Sequence, residues 1–337
     1  MNLSTLVREG VAHIAQLPPS NWRDIATARF LSVPLIAEDY PAKTAAMWNA
    51  AYAALGMPDR NMMLVADPKD LNQIMPALRA DPRYQGGGVG IGFKEAVLPY
   101  LDDITPLARA MGAVNIIKKD GQGRLVGDNT DGAGYARSLE EALAKNGIAM
   151  KDAHILMLGA GGSGRAIAFA LADKGARLTI LNRTEAKAQE LSDTLNRYFG
   201  RTAASGGSRK LLSSVIVGTD AIVSVIDDAV SPLDAYSTIG VMELPVTRES
   251  IERNRIDAEH LLGSLDRKVV ISDIRIRKGP TAMLSQAKEL GFRTLDGIPM
   301  VVNQGVDAFR WLYDAPLALR IVDQADIPRI MRTAAAA

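Results

Sequence analysis

The chain of 337 residues carries a formal net charge of +1, with 47% hydrophobic residues, 23% charged residues and no cysteine. This length predicts two domains, the composition excludes a mainly disordered chain, and the near-neutral charge argues against a nucleic-acid partner. The absence of cysteine excludes disulfides, thiolate metal sites and a cysteine nucleophile, and it fits the cytoplasmic location that we expect.

Residues 1–28 have weak helical periodicity and contain the adjacent Pro18 and Pro19, so we interpret them as an appended N-terminal arm. Arg8 and Glu9 argue against a secretory signal peptide. No later segment approaches the roughly 20 apolar residues of a membrane span, so we expect no membrane partner. The sequence leaves open whether the arm makes a homodimer.

From residue 29 onward, apolar runs alternate with helical patterns. The predicted strands cover residues 30–35, 62–65, 88–91 and 113–117, and the predicted helices cover residues 43–55 and 68–78. This alternation predicts parallel strands joined by crossover helices. A helix that begins at Thr130 or Asp131, either of which can act as N-cap, then leads into the second part of the chain.

A second alternating series has the order of a mononucleotide-binding half. It starts with a strand at 154–158, a glycine-rich turn, a helix to about residue 174 and a strand at 178–181, and continues with strands at 221–225 and 269–274 and helices at 246–262 and 300–313. The predicted fold class is therefore α/β, with an N-terminal α/β substrate domain and a Rossmann-type doubly wound dinucleotide-binding domain. We place the first at 29–130, completed by a C-terminal helix at about 299–337, and the second at 131–298.

The turn after the strand at 154–158 carries the G-x-G-x-x-G pattern, and helix-forming residues come directly behind it. Its first glycine permits a tight turn, the second lets backbone N–H groups approach a pyrophosphate, and the third allows close helix packing. A glycine cluster alone is usually only a loop, so the prediction depends on the flanking strand and helix. The predicted pyrophosphate-binding residues are Gly159, Gly161, Gly162, Ser163 and Gly164.

The end of the next predicted strand indicates which dinucleotide binds. An NAD enzyme would place Asp or Glu here, whereas this chain has Asn182, Arg183 and Thr184. A guanidinium can form paired charged hydrogen bonds to a 2′-phosphate, and asparagine and threonine add neutral donors. We therefore predict NADP as the cofactor, with a solvated turn as the alternative interpretation.

Hydride transfer belongs to the nicotinamide, so the protein must supply a group that exchanges a proton with the alcohol or carbonyl of the substrate. Lys94 follows the predicted strand at 88–91, at the carboxyl end of a parallel sheet, where ligand crevices form. Asp131 lies at the predicted domain boundary. The two could form a catalytic pair in which the carboxylate orients the amine, and the alternative is a surface lysine and a plain N-cap residue.

The order of these motifs resembles that of the shikimate and quinate dehydrogenases, from about Arg29 to Leu317. The matching segments are Gly-Ala-Val-Asn at 112–115, Asn-Thr-Asp at 129–131, the glycine-rich turn, Asn-Arg-Thr at 182–184 with Lys187, and Gly297, Met300 and Gln304. The resemblance implies reversible NADP-linked oxidation of a ring alcohol in a shikimate- or quinate-like cyclic acid. It also implies Lys94 and Asp131 as the acid–base pair, Asn115 and Gln304 as substrate contacts, and Lys187 as part of the cofactor site.

The substrate half departs from the family pattern. The family has two hydroxyl residues ahead of a His-Asn pair, and this chain has Ala42, Lys43, Thr44 and Ala45 there. Thr44 is the one substrate-binding hydroxyl that remains, and Trp48 replaces the histidine. Because a site built to bind hydroxyls discriminates strongly when donors are lost, we predict weak or absent activity on shikimate itself.

Gly90 and Gly92 replace a threonine and a proline of the family pattern, and Ile276 replaces a tyrosine. The loss of a hydroxyl contact at Gly90 and the looser backbone predict that a larger substrate can approach. The residues that could supply a replacement anion clamp, unless they are solvated surface charges, are Lys43, Arg275 and Arg277.

The leading hypothesis competes with a catalytically idle NADP-binding protein of the same fold that acts as a sensor or an assembly partner. Retention of both Lys94 and Asp131 argues for the enzyme. We expect no metal, because His13, His154 and His260 are far apart in the sequence and have no partner at a helical metal-ligand spacing. The expected partner is therefore a small-molecule cyclic hydroxy acid.

Overall fold

A computed structural model describes residues 3–15, 29–37, 43–90, 92–226, 235–276, 279–318 and 326–336. Of these residues, those up to Thr130 and those from Val301 onward form one compact unit, here unit 1, and Asp131–Met300 form a second, unit 2. No helix in the described ranges combines the length and the apolar character that a membrane span needs.

Unit 1 contains nine described strands in two sheets. In chain order they are β1 (Ala12–Ile14), β2 (Phe30–Ser32), β3 (Leu35–Ile36), β4 (Asp59–Asn61), β5 (Leu64–Ala66), β6 (Tyr84–Gly88), β7 (Asp103–Ile104), β8 (Ile116–Lys119) and β9 (Leu125–Asp128). The larger sheet has the order β4-β2-β6-β8-β9-β7, and the smaller sheet has the order β1-β5-β3.

The predicted parallel arrangement holds for part of the larger sheet. Strands β4, β2 and β6 run parallel to one another. Strand β8 is antiparallel to both β6 and β9. The short connection at 120–124 explains the second of these pairings, because a hairpin can join only antiparallel neighbours, whereas parallel strands need a long crossover. Unit 1 is therefore a mixed α/β domain.

All four strands predicted in unit 1 have different limits in the structure. Those predicted at 62–65 and 113–117 begin two and three residues later, as β5 and β8. The strand predicted at 30–35 is two strands, β2 and β3, which belong to different sheets on either side of Pro34, a residue without a backbone N–H. The strand predicted at 88–91 lies earlier, as β6, and beyond it Val89 makes only an isolated parallel bridge to Leu35. Ile91 lies outside the described residues.

The residues that we interpreted as an appended arm are partly built into unit 1. Leu3 and Leu6 are 1% and 0% exposed, and β1 pairs antiparallel with β5. The arm prediction is therefore wrong for residues 3–15, because two apolar positions and a three-residue strand are too short to show a pattern in the sequence. Residues 16–28 lie outside the described part of the chain.

The helices of unit 1 pack on these sheets and on one another. They are Leu3–Arg8, Lys43–Ala54, Leu71–Ala80, Pro106–Met111, Asp326–Ala336 and most of Ile298–Ala318. One buried cluster joins helix Lys43–Ala54 to helix Ile298–Ala318 through aromatic side chains, which are Trp48, Tyr52, Phe309 and Tyr313.

The described residues of unit 2 form one sheet of six parallel strands. They are β10 (His154–Leu158), β11 (Arg177–Asn182), β12 (Ala204–Ser208), β13 (Ala221–Ser224), β14 (Val270–Asp273) and β15 (Arg293–Leu295). The sheet order is β12-β11-β10-β13-β14-β15, and every pairing is parallel. This is the doubly wound order of a dinucleotide-binding domain, so the predicted fold class is confirmed.

The helices of unit 2 connect these strands. They are Asp131–Ala144, Gly162–Asp173, Glu185–Phe199, Leu212–Val215, Arg248–Gly263 and Ala282–Glu289. The core of the sheet includes Leu156, Ile222 and Ile271, all 0% exposed. Because strands of a parallel sheet are covered on both faces, β10 and β13 appear in the sequence as nearly continuous apolar runs.

Candidate functional site

A buried hydrogen-bond network in unit 1 is centred on Asn115, which is 5% exposed. Its backbone N–H donates to the carbonyl oxygen of Asp128 (3.0 Å). Its side-chain Oδ1 accepts from the backbone N–H of Thr130 (2.8 Å), while Nδ2 donates to Thr130 Oγ1 (3.1 Å) and to Gln304 Oε1 (3.3 Å). One amide thus joins three segments that are far apart in the sequence.

Gln304 lies half-buried on helix Ile298–Ala318. Its backbone carbonyl accepts from Thr130 Oγ1 (3.1 Å), and its Nε2 donates to the carbonyl oxygen of Val301 (3.2 Å). The structure therefore brings Asn115 and Gln304 together, as expected for two groups that contact one substrate. Thr130, which the sequence suggested only as a helix cap, is the bridge between them.

Lys94 lies half-buried in the turns that follow β6. Its carbonyl oxygen accepts from the backbone N–H of Val114 (2.9 Å), so its backbone is tied to the residue before Asn115. Asp131 is 7% exposed and is the first residue of helix Asp131–Ala144. Because Asp131 directly follows Thr130 in the chain, its backbone continues from the same network.

The two glycines before Lys94 have different structural causes. Gly92 has φ +89°, a conformation that proline cannot adopt because its ring holds φ near −65°. A Cβ on Gly90 would lie 2.9 Å from the carbonyl oxygen of Leu35 and 3.0 Å from Ile36 Cγ2. The Cβ direction of Gly90 is thus filled by β3, so the missing side chain opens no space on that side, and the approach of a larger substrate stays a prediction.

The proposed anion clamp does not form from the residues that the structure describes. Lys43 donates through Nζ to the carbonyl oxygen of Ala335 (2.5 Å), at the C-terminal end of a helix, where a positive charge is favourable. Arg275 forms a buried ion pair with Asp273 (2.8 Å), and the two side chains are 3% and 0% exposed. Lys43 and Arg275 thus both have partners within the protein. For Arg275, the buried ion pair fits neither an anion clamp nor a solvated surface charge. Arg277 lies outside the described residues.

Thr44, the other predicted substrate contact, lies half-buried in the first turn of helix Lys43–Ala54. Trp48 lies one turn later on that helix and is 1% exposed. At Ile276, where the family pattern has a tyrosine, the side chain is 43% exposed. Within the described ranges, no three His, Asp or Glu side chains group in a way that could hold a metal ion.

The glycine-rich turn of unit 2 connects β10 directly to helix Gly162–Asp173. Gly159 has φ +115°, which favours glycine, and a Cβ on Gly164 would lie 2.8 Å from Val225 Cγ2. Gly161 is the N-cap, and no side chain caps this helix. Gly161 and Gly162 are exposed and Ser163 is half-buried, so the first-turn N–H groups are accessible to a pyrophosphate. These residues fit a dinucleotide.

The second cofactor segment lies at the carboxyl end of β11. Asn182 is the last strand residue, and its Nδ2 donates to the carbonyl oxygen of Thr184 (2.9 Å), which closes a tight turn. Arg183, Thr184 and Lys187 are exposed. An exposed guanidinium and an exposed amine thus lie four residues apart in the chain, after the strand end where a 2′-phosphate would bind.

Arg209 is a further cation at this edge of the sheet that the sequence did not suggest. Its neighbour Ser208 ends β12 and pairs with Asn182, so Arg209 and Arg183 occupy equivalent positions after adjacent strands. Its Nη2 donates to the carbonyl oxygen of Thr238, and burial lowers its pKa below the usual value. Strand β12 has the sequence Ala-Ser-Gly-Gly-Ser, which shows no apolar pattern. The sequence therefore did not predict this strand or the position of Arg209 at its end.

Comparison with known proteins gives two family matches and relatives that align with most of the chain. Residues 40–117 match the family model described as the shikimate dehydrogenase substrate binding domain, and residues 140–224 match the one described as shikimate / quinate 5-dehydrogenase. A shikimate dehydrogenase (NADP(+)) from Lysinibacillus sphaericus is 32% identical over 277 residues, which are 82% of this chain and 89% of the relative.

Solved structures agree with this comparison. Quinate dehydrogenase from Corynebacterium glutamicum in complex with NAD superposes with a TM-score of 0.71 at 26% identity, over 90% of this chain and 99% of the other. The ligand-free 5-ketofructose reductase of Gluconobacter sp. strain CHM43 gives 0.67 at 27% identity, over 91% and 99%. The resemblance inferred from the sequence motifs is confirmed.

Proposed function

This chain belongs to the shikimate and quinate dehydrogenase family, and on that premise we propose that it is an NADP-dependent oxidoreductase. Its reaction is reversible hydride transfer between NADP(H) and a ring hydroxyl or carbonyl of a shikimate- or quinate-like cyclic acid. The observation that supports this most directly is the network of Asn115, Thr130 and Gln304, because three separate family motifs meet there in one unit.

The cofactor, when bound, accepts or donates the hydride, and the protein's own residues handle the proton. We propose that Lys94 Nζ exchanges the proton with the substrate oxygen, giving it to the carbonyl during reduction and taking it from the hydroxyl during oxidation. Asp131 then orients the amine and balances its positive charge. Asn115 and Gln304 orient the ring through their side-chain amides, and Thr44 adds a hydroxyl.

The proposed cofactor preference rests on the exposed Arg183. Of the three proteins compared above, one carries NADP(+) in its name and one was solved in complex with NAD, so membership of the family does not decide the preference. A carboxylate at the end of β11 would repel a 2′-phosphate, whereas the guanidinium of Arg183 attracts it, and Lys187 adds a second positive charge. NADP is therefore the better match to this chain.

Arg183→Ala is expected to weaken NADP binding by about 10- to 100-fold, since a hydrogen bond to a charged group contributes roughly 1.5–3 kcal/mol. NAD binding should change little, because NAD has no 2′-phosphate. Fluorescence titration of both reduced cofactors measures the two dissociation constants. Arg177→Ala is the matched control, since Arg177 is exposed at the opposite end of the same strand. Equal weakening for both cofactors would contradict the proposed role.

The reaction itself is tested by following reduced nicotinamide absorbance with NADP or NADPH and three candidate substrates, which are shikimate, quinate and 5-ketofructose. We expect turnover of at least one of the two cyclic acids, with poor turnover of shikimate, because the described substrate segment keeps only Thr44 as a hydroxyl. Turnover of 5-ketofructose alone would contradict a cyclic acid as the substrate. Tight NADP binding without turnover of any of them would favour the idle sensor or assembly protein instead.

A further inference from the structure

Trp48 is connected to the backbone beside Gln304. Its indole Nε1 donates to the carbonyl oxygen of Gly305 (3.1 Å), the residue that directly follows Gln304. The indole is 1% exposed and packs edge-on against Phe309, with ring centroids 5.4 Å apart. A buried tryptophan generally finds a partner for its N–H, and here the partner is a backbone group next to a proposed substrate contact.

The helices that carry Trp48 and Gln304 approach each other closely at this point. A Cβ on Gly305 would lie 2.5 Å from Met47 Cε, the flexible end of a side chain on the other helix, so the two helices are in contact at this glycine. The backbone at 304–305 is then held from two sides, by Thr130 Oγ1 on the Gln304 carbonyl (3.1 Å) and by Trp48 on the Gly305 carbonyl. A slide of helix Ile298–Ala318 would break both bonds.

We propose that Trp48 is a positioning residue that fixes the Gln304 amide for substrate binding. This inference rests on the proposed function, in which Gln304 contacts the substrate. Trp48 also lies one helical turn after Thr44, so the two side chains project from the same face of helix Lys43–Ala54. The indole N–H therefore fixes helix Lys43–Ala54, which carries Thr44, relative to helix Ile298–Ala318, which carries Gln304. In this chain the tryptophan that replaces the family histidine takes on a role of its own.

Removal of the indole N–H should affect substrate binding more than turnover. Trp48→Phe keeps an aromatic ring but loses the donor, and we expect KM for the best of the three candidate substrates to rise about fivefold, with kcat within about twofold of wild type. The dissociation constant for NADP should not change, because the cofactor segments lie in other elements. Steady-state kinetics and cofactor titration give these three values.

Restoring a donor separates positioning from simple filling of the core. Trp48→His removes more ring volume than Trp48→Phe, so its melting temperature should be lower, yet its imidazole N–H can donate and its KM should lie closer to wild type. Trp48→Leu serves as a second variant without a side-chain donor if Trp48→Phe folds poorly. Trp311→Phe is the matched control on the same helix as Gln304, since Trp311 stacks on Lys118, and its KM should be unchanged.

Gln304→Ala separates the substrate contact of Gln304 from the positioning role of Trp48. A raised KM in Gln304→Ala together with an unchanged KM in Trp48→Phe and Trp48→Leu would overturn the positioning role and leave the proposed function intact. An unchanged KM in Gln304→Ala would contradict the substrate contact itself, and with it the inference. A KM that follows the melting temperature across the Trp48 variants, with His worse than Phe, would show that Trp48 only fills the core.

Discussion

Lys94→Ala is expected to lower kcat by about three orders of magnitude while NADP still binds, since a positioned general acid or base contributes roughly 10²- to 10⁴-fold. The backbone of Lys94 is held beside Asn115 through the bond of its carbonyl oxygen to the Val114 N–H, and this bond does not involve the side chain. The substitution therefore removes the amine that we propose as the proton donor and acceptor without removing this backbone bond. Turnover is measured by nicotinamide absorbance, and NADP binding by fluorescence.

The matched control is Lys69→Ala. Lys69 lies on a short turn of the same unit, its side chain is 75% exposed, and its partner is Asp67 (2.8 Å). Its replacement should leave kcat, KM and melting temperature close to wild type. If Lys94→Ala kept more than about a tenth of the wild-type kcat, the proton-transfer role would be wrong. If it lost NADP binding as well, Lys94 would have a role in the fold or in the cofactor site instead.

Arg275→Met is expected to destabilise the protein by about 3–5 kcal/mol, because it leaves a buried carboxylate without its countercharge. Asp273 is 0% exposed and accepts from Arg275 Nη2 (2.8 Å) and Nε (3.1 Å to Oδ1) and from Thr281 Oγ1 (2.9 Å). Among the described residues, the neutral threonine and a backbone N–H would remain as its donors. Urea unfolding of the whole chain, monitored by circular dichroism, measures the decrease in the free energy of unfolding of unit 2.

Two comparisons check the cause of this loss. Replacing both partners, as Asp273→Leu with Arg275→Met, should recover much of the stability, because apolar pairs can replace buried ion pairs at little cost. Arg329→Met breaks an exposed pair with Asp326, whose side chains are 71% and 49% exposed, and should cost less than about 1 kcal/mol. A loss below about 1 kcal/mol for Arg275→Met would show that the pair contributes no more than that surface pair.

The cofactor half of the chain was largely predictable from its sequence. Strand β10, the glycine-rich turn, helix Gly162–Asp173 and strand β11 follow one another within about thirty residues, and each has its own local pattern. The turn needs glycine at 159 for its positive φ and at 164 for close packing, and both needs are visible as residue types. Requirements of this kind can be predicted from one sequence, because they are met by the type of a single residue.

Strands without an apolar pattern were missed or misplaced. Strand β12 and much of β6 consist of glycine and polar residues, and β15 and β1 have only three residues each. Such segments become strands because a neighbouring strand offers its backbone hydrogen-bonding groups, and that neighbour is distant in the sequence. For the same reason, the antiparallel direction of β8 against β6 had no local signal.

The sequence by itself determined the family, the α/β fold class and the identity of Asn115 and Gln304 as residues to examine, because ordered motifs and local periodicity suffice for these. Only the tertiary structure decided what each polar side chain bonds to. It paired Arg275 with Asp273 and Lys43 with Ala335, made Thr130 a bridge, and gave the indole of Trp48 a partner beside Gln304. A charge or donor takes whichever partner lies within about 3 Å in the folded chain, and that distance depends on contacts between segments far apart in the sequence.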